Sequence, residues 1–286
     1  MKTLPELPNL EFLRREARTL RAQHRAKDKS VCEIIGHFDT SFHDLVDDEI
    51  FARKFSIIDA QRVTARQYSF ASWRRLKLFV KKATVQTSAF NATLRDDLIR
   101  RNMMREALVR RVKNKKPGAR KTLEDFIDES HATLQSIYSH YGWPGPQIVG
   151  RDGTEACFWL GVTHSKNAEF QHETAMLMKD SLPKGECYGI KYAITIDRWL
   201  CLSYQPTVYG SLNDFNKESG CVEYSSDVID PRNLNKRRAE VGLPNFEAAN
   251  QELRQRATEQ KWPKEEQATW EEMKRQWAVD GGYIAA

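Results

Sequence analysis

The segment GVTHSKNAEFQHE, Gly161 to Glu173, places two histidines, a lysine, an asparagine, a glutamine and two glutamates in thirteen residues, directly after the apolar run ACFWLGV. His164 closes that run. A histidine there can act as a general base at neutral pH, or it can sit quietly at the negative end of a helix dipole. A second group of polar residues interrupts YAITIDRWLCL, where Asp197 and Arg198 fall inside an otherwise apolar helix pattern. Two charges there are costly if buried unless they are paired. They are either an internal salt bridge, or a carboxylate that orients His164 beside an arginine that binds an anion. Tyr209 can donate a hydrogen bond to a substrate or cap the core. His172 shares its helix with Gln171, Glu173, Lys179 and Asp180 and is expected to face solvent.

These residues must be positioned by helices. Leu10, Leu13, Ala17 and Leu20 recur at helical spacing behind Asn9, a cap residue, so residues 9–36 read as a helix or helix pair. Ser56 with Asp59 starts a second, and Ser72 a third with Trp73, Leu76 and Val80 on its apolar face. KATVQTSAFNAT, 82–93, reads as a linker. A helix with Leu94, Leu98, Met104 and Leu108 as apolar positions follows. After the break at Pro117-Gly118 comes another, with Thr122 and Asp125 as its cap and Gly142 as its stop. WPGPQIVGRDG reads as an irregular turn. Helices are expected at 154–164, 168–181 and 188–203, and a small hairpin from Thr207–Tyr209 and Cys221–Tyr224. NLNKRRAEVG and NFEAANQELRQRATEQ return to helix. The tail carries an amphipathic helix with Trp270, Met273 and Trp277 on one face, which docks on the body or binds a partner.

The fold class expected is mostly α: an N-terminal helical bundle plus a larger helical domain with at most a small β-hairpin. The expected units are a basic helical module at 1–82, a domain with the candidate pocket at 92–257, and a C-terminal helix and tail at 258–286. Residues 1–150 carry 28 Lys and Arg against 18 Asp and Glu, while residues 151–286 carry 17 against 21. The basic half can attract nucleic acid through its charge alone, a partner class not expected here because solvated faces of Arg-rich helices account for the same pattern.

The 286 residues contain no apolar run of the ~18 residues that a membrane span needs, and the N-terminus has no signal-peptide block. A cytoplasmic protein without membrane contact is expected. Five scattered cysteines without a CxxC pair indicate neither a disulfide framework nor a zinc site, and no metal or cofactor is expected. The absence of P-loop, GxGxxG, HExxH and GxSxG motifs leaves nucleotide hydrolysis, Rossmann chemistry, zinc proteolysis and serine hydrolysis unsupported.

Two resemblances add to this. LPELPNLEFLRREARTL with SIIDAQRVTARQYSFASWRRLKLFV resembles the helical segment that precedes ankyrin repeats in bacterial proteins, with Ser69 where that family has a turn glycine and Ala71 at a frequent proline. No repeat of ~33 residues follows. YGWP at 141–144, VGRDGTEA at 149–156, His164 with Glu169–Gln171, TIDR at 195–198, VYGS at 208–211 and DPRNLNKRRAEVGLP at 230–244 resemble an uncharacterised family of bacterial helical domains, domain of unknown function 6624. Members read close to QHADHDxxFQ and YGTQ where this chain has THSKNAEFQ and YGSL. The resemblance brings Gln171 and Trp143 in beside Arg198 as ligand-binding candidates, with His164, Asp197 and Tyr209 as catalytic ones. With the polar set incomplete, the leading expectation is a bacterial cytoplasmic protein that binds an unknown protein or a small anionic ligand in a regulatory or adaptor role. The alternative is a hydrolase-type enzyme using the same pocket.

Overall fold

Asn9 accepts hydrogen bonds from the amides of Glu11 and Phe12, and so opens α1, Leu10–Arg25, as its side chain predicts. A computed structural model describes the chain apart from residues 6, 86–87, 163–166, 216–221, 226, 258–263 and 286. Leu13, Ala17, Leu20 and His24 form the buried stripe of α1. A 3-10 turn at Lys29–Val31 leads into α2, Cys32–Phe38, and a short α3, Asp47–Ala52, follows. Ser56 and Asp59 make the expected reciprocal cap of α4, Ile57–Gln67, and Ser72 caps α5, Trp73–Thr84. These helices close over two apolar clusters, one around Ile35, Phe42, Phe55 and Val63, the other around Leu13, Phe70, Leu76 and Phe79.

The end of α4 turns on Ser69. Its amide donates to the Arg66 carbonyl at 2.9 Å, and the Phe70 amide donates to the Ala65 carbonyl at 3.0 Å. This paired stop requires a left-handed residue, and Ser69 takes φ 65 where glycine would be unstrained.

The larger part contains α6, Ala92–Lys113, α7, Ala119–Tyr141, α8, Pro146–Val162, α9, Ala168–Ser181, and α10, Gly189–Leu202. α6 lies along α8 and α10 along α9, enclosing Leu98, Leu134, Phe158, Leu160, Phe170 and Ala193. Two antiparallel strands follow, β1, Asn213–Phe215, and β2, Val222–Tyr224, with Asn213 opposite Tyr224. Then come α11, Leu234–Glu240, α12, Phe246–Ala257, and α13, Lys264–Asp280. The chain is mostly helical, as its periodicity implies.

Several local expectations differ. The stretch from Pro146 is helical, interrupted only at Gly150 with φ 68. α7 starts at Ala119 behind left-handed Gly118, and Thr122 donates its hydroxyl to the Gly118 carbonyl rather than capping. Met104 is 52% exposed and leaves the apolar stripe of α6. The first arm of the hairpin lies further along than Thr207–Tyr209, and Thr207 instead bridges to Val228.

The N-terminal helices and the larger part share a buried seam. The Gly189 amide donates to the Ser69 carbonyl at 2.9 Å. A Cβ on Gly189 would stand 1.6 Å from the Val241 carbonyl oxygen, so this crossing admits glycine alone. Beside it the Tyr188 ring sits 5.1 Å from Phe70 and 4.7 Å from Phe79.

Candidate functional site

Neighbouring residues on a helix point about 100° apart, and here Asp197 and Arg198 enter different surroundings. The structure separates them, and the internal salt bridge between the two is not formed. Asp197 is fully buried. Its Oδ1 accepts from the amides of Val208 at 2.9 Å and Tyr209 at 3.1 Å. Its Oδ2 accepts from the Ser211 amide at 2.8 Å and the Ser211 hydroxyl at 2.7 Å. Burial raises the carboxyl's pKa, and these donors, Ser211 first, pull it back. Both oxygens are engaged in holding the 208–211 loop.

Arg238 holds the same loop from its other side. It is 2% exposed. Its Nη1 donates to the carbonyls of Tyr209 at 2.6 Å and Gly210 at 3.0 Å, and its Nε to Pro244 at 2.8 Å. Burial brings its pKa down to about 10. Arg237 donates its Nε to the Val208 carbonyl at 3.0 Å. Gly210 takes φ 53 at the centre. A Cβ there would stand 2.9 Å from the Phe246 ring and 3.0 Å from the Ser225 carbonyl oxygen. The strings TIDR, VYGS and KRRAE thus meet in one structural knot. Sequence reasoning passed over Arg237 and Arg238, although two arginines beside Leu234 and Ala239 on a short helix repeat the signal that drew attention to Asp197.

Arg198 turns away from that knot. It lines a cavity of about 130 Å³ with Leu202, Thr207, Leu212, Ser225 and Trp277. Its Nε is buried without a hydrogen-bond partner. No carboxylate among the described residues lies within ion-pair distance of it, and burial lowers its pKa. α13 and the residues after it cover this region: Ala278 and Tyr283 are buried against Leu202 and Trp199, and the Ala168 amide donates to the Gly281 carbonyl at 2.8 Å. Gln171 is fully buried. It accepts the Tyr283 hydroxyl, and its own Nε2 has no hydrogen-bond partner. Tyr283 is also the first electrostatic neighbour of Arg198. Gln171 and Arg198 are therefore linked through the C-terminal tail.

The other candidates lie elsewhere. Trp143 is 4% exposed and donates its Nε1 to the Glu186 carbonyl at 3.2 Å, a core position rather than a cavity wall. Tyr209 is half-buried with its ring 5.8 Å from Tyr192, and burial pushes its hydroxyl pKa up. His172 does not face solvent freely, since its ring lies 4.6 Å from Trp199. His164 is outside the described residues. A histidine that the sequence did not single out, His131, is buried, with its Nε2 3.2 Å from the Leu160 carbonyl oxygen and its ring stacked 4.3 Å from Phe170. Burial lowers its pKa to about 4.

Among the described residues no group of three or more His, Cys, Asp or Glu is placed to hold a metal ion. Among them, too, no helix is long and apolar enough to cross a membrane.

Compared with known proteins, residues 101–258 match one family model, described as a family of unknown function (DUF6624). No curated protein and no solved structure matches the chain.

Proposed function

We propose that this chain, which belongs to the family of unknown function DUF6624 by a match over more than half its length, is a bacterial cytoplasmic protein that binds a small carboxylate at Arg198. The observation that carries this reading is the Arg198 guanidinium, whose Nε is buried at a cavity without a hydrogen-bond partner. A buried charge left uncompensated is costly, and an anion supplied from outside would compensate it. Arginine's planar fork suits a planar carboxylate bonded through two of its N–H groups. A cavity of about 130 Å³ suits a ligand of a few heavy atoms, well below the ~300 Å³ at which pockets for drug-sized molecules begin. Thr207 and Ser225 are polar residues of the wall, and Trp277 of α13 is an aromatic one. Ligand occupancy would thereby be coupled to docking of the C-terminal helix, which suits a regulatory protein.

The cytoplasmic assignment is supported by Cys32, Cys157, Cys187 and Cys201, all free thiols. The N-terminal helices, which resemble the segment preceding ankyrin repeats, act in this reading as a buttress for the larger domain. The hydrolase reading ranks second because both Asp197 oxygens are engaged by the 208–211 loop.

The test is a thermal-shift titration with acetate, oxalate and succinate at constant ionic strength. At least one should raise the melting temperature saturably, and Arg198→Met should abolish the rise. If none does, or if Arg198→Met retains the full shift, the reading fails.

A further inference from the structure

A second cleft, of about 660 Å³, opens between the start of α5 and one face of α11. Thr40, Arg66, Ser72, Arg75, Lys236 and Glu240 are on its walls. Arg66 donates its Nη1 to the Phe38 carbonyl at 2.7 Å, but its Nε is buried without a hydrogen-bond partner. Asp39, the acid that acts on Arg66, already holds Arg62 at 2.6 Å. Arg75 donates to the Glu240 backbone carbonyl at 3.0 Å. Among the described residues, neither arginine nor Lys236 has a carboxylate within ion-pair distance, whereas Arg62, Arg95 and Arg101 each have two. Three cations thus face one space against the single carboxylate of Glu240. The first turn of α5, capped by Ser72, adds the positive end of a helix dipole to the same wall.

We infer that this cleft binds the phosphoryl group of a small phosphorylated molecule, a site separate from the Arg198 cavity. Cations approaching from three helices, α4, α5 and α11, match an anion with several oxygens in three dimensions better than a flat carboxylate. The volume falls within the ~300–1,000 Å³ range of small-molecule pockets. No aromatic ring is among the lining residues, so recognition centres on charge. Arg66 and Arg75 supply the directed N–H donors. Lys236, whose side chain is exposed, supplies a mobile charge at the mouth. Because the walls come from α4 and α5 on one side and α11 on the other, a bound phosphoryl group would also tie the N-terminal helices to the larger domain.

Isothermal titration with pyrophosphate and with inorganic phosphate tests this, in full-length Arg198→Met protein so that the other cavity contributes nothing, at constant ionic strength. Pyrophosphate should bind saturably at one site. Lys236→Gln should weaken it about tenfold, the scale of one charge-assisted contact, and should leave the melting temperature of the free protein unchanged because the side chain is exposed. Arg75→Gln should weaken it at least as much. The inference is overturned if millimolar pyrophosphate gives no saturable heat, or if both variants bind as tightly as the parent.

Discussion

Asp197 and Arg238 grip one loop from opposite sides. The carboxylate takes the N–H groups of Val208, Tyr209 and Ser211, and the guanidinium takes the carbonyls of Tyr209 and Gly210. The two opposite charges are joined through peptide dipoles rather than directly. The Gly210–Ser211 peptide bonds both, its N–H to Asp197 and its carbonyl to Arg238, and neighbouring peptide groups make the rest, which lets two ionised side chains remain buried with their hydrogen bonds made. The loop also forms part of the approach to the Arg198 cavity, since Thr207 and Leu212 flank it and line that cavity.

Replacing Asp197 with Asn should therefore cost about 3 kcal/mol of stability, because an amide NH₂ would face N–H donors and Arg238 would lose its counter-charge. Urea denaturation of the two proteins measures this. Arg238→Met should cost a similar amount, and the double variant should lose less than the two singles together, since each single strands the other charge. Additive losses would show that the two side chains are not coupled through the loop.

Arg198→Met should behave in the opposite way. Its guanidinium makes no ion pair among the described residues, so an apolar side chain of similar length should leave the free protein's stability unchanged or raise it by about 1 kcal/mol. A loss of several kcal/mol in urea would mean that Arg198 is a structural strut and not a charge held for a ligand.

Ser69 offers a gain. At φ 65 a serine bears strain that a glycine does not, and Ser69→Gly should raise stability by about 1 kcal/mol. Ser69→Val, with a branched side chain at a 4% exposed position, should lower it. Melting temperatures of the three proteins in one buffer decide the matter.

What the sequence made legible was local. Asn9, Ser56, Ser72 and Gly142 mark helix ends because a cap is a bond between near neighbours in the chain. The helix from Pro146 was hidden by its prolines and glycines, which are turn formers until Ile148 and Val149 find a core. The strand Asn213–Phe215 was hidden because Asn213 and Asp214 lack strand propensity. Pairing there depends on β2, whose Tyr224 amide donates to distant Asn250. The polar exceptions Asp197 and Arg198 were visible as costly charges, but their surroundings were not. The Asp197 ligands are mostly backbone amides, which carry no side-chain signature, and α13 reaches Arg198 from the far end of the chain.

Stability should depend on pH through His131. His131 has its pKa lowered to about 4 by burial, from a reference value of 6.5. Between those values the unfolded chain binds a proton that the folded chain refuses. Stability therefore rises with pH across that window: the contribution is fully present above 6.5 and is lost as pH falls toward 4. At about 1.4 kcal/mol per unit, lowering the pH from 7 to 5 should remove about 2 kcal/mol through this one residue. His37, also lowered by burial, acts in the same direction. Asp197, raised by burial, acts in the opposite one: its carboxyl favours the folded state more as it protonates. Both remain in a His131→Gln variant, which keeps an N–H donor for the Leu160 carbonyl but does not titrate. Subtracting its pH profile from that of the parent isolates His131. The parent should lose about 2 kcal/mol more than the variant between pH 7 and pH 5, measured by urea denaturation at each pH. Parallel profiles would mean that the His131 ring takes up its proton inside the folded protein, against its stacking on Phe170 in an apolar core.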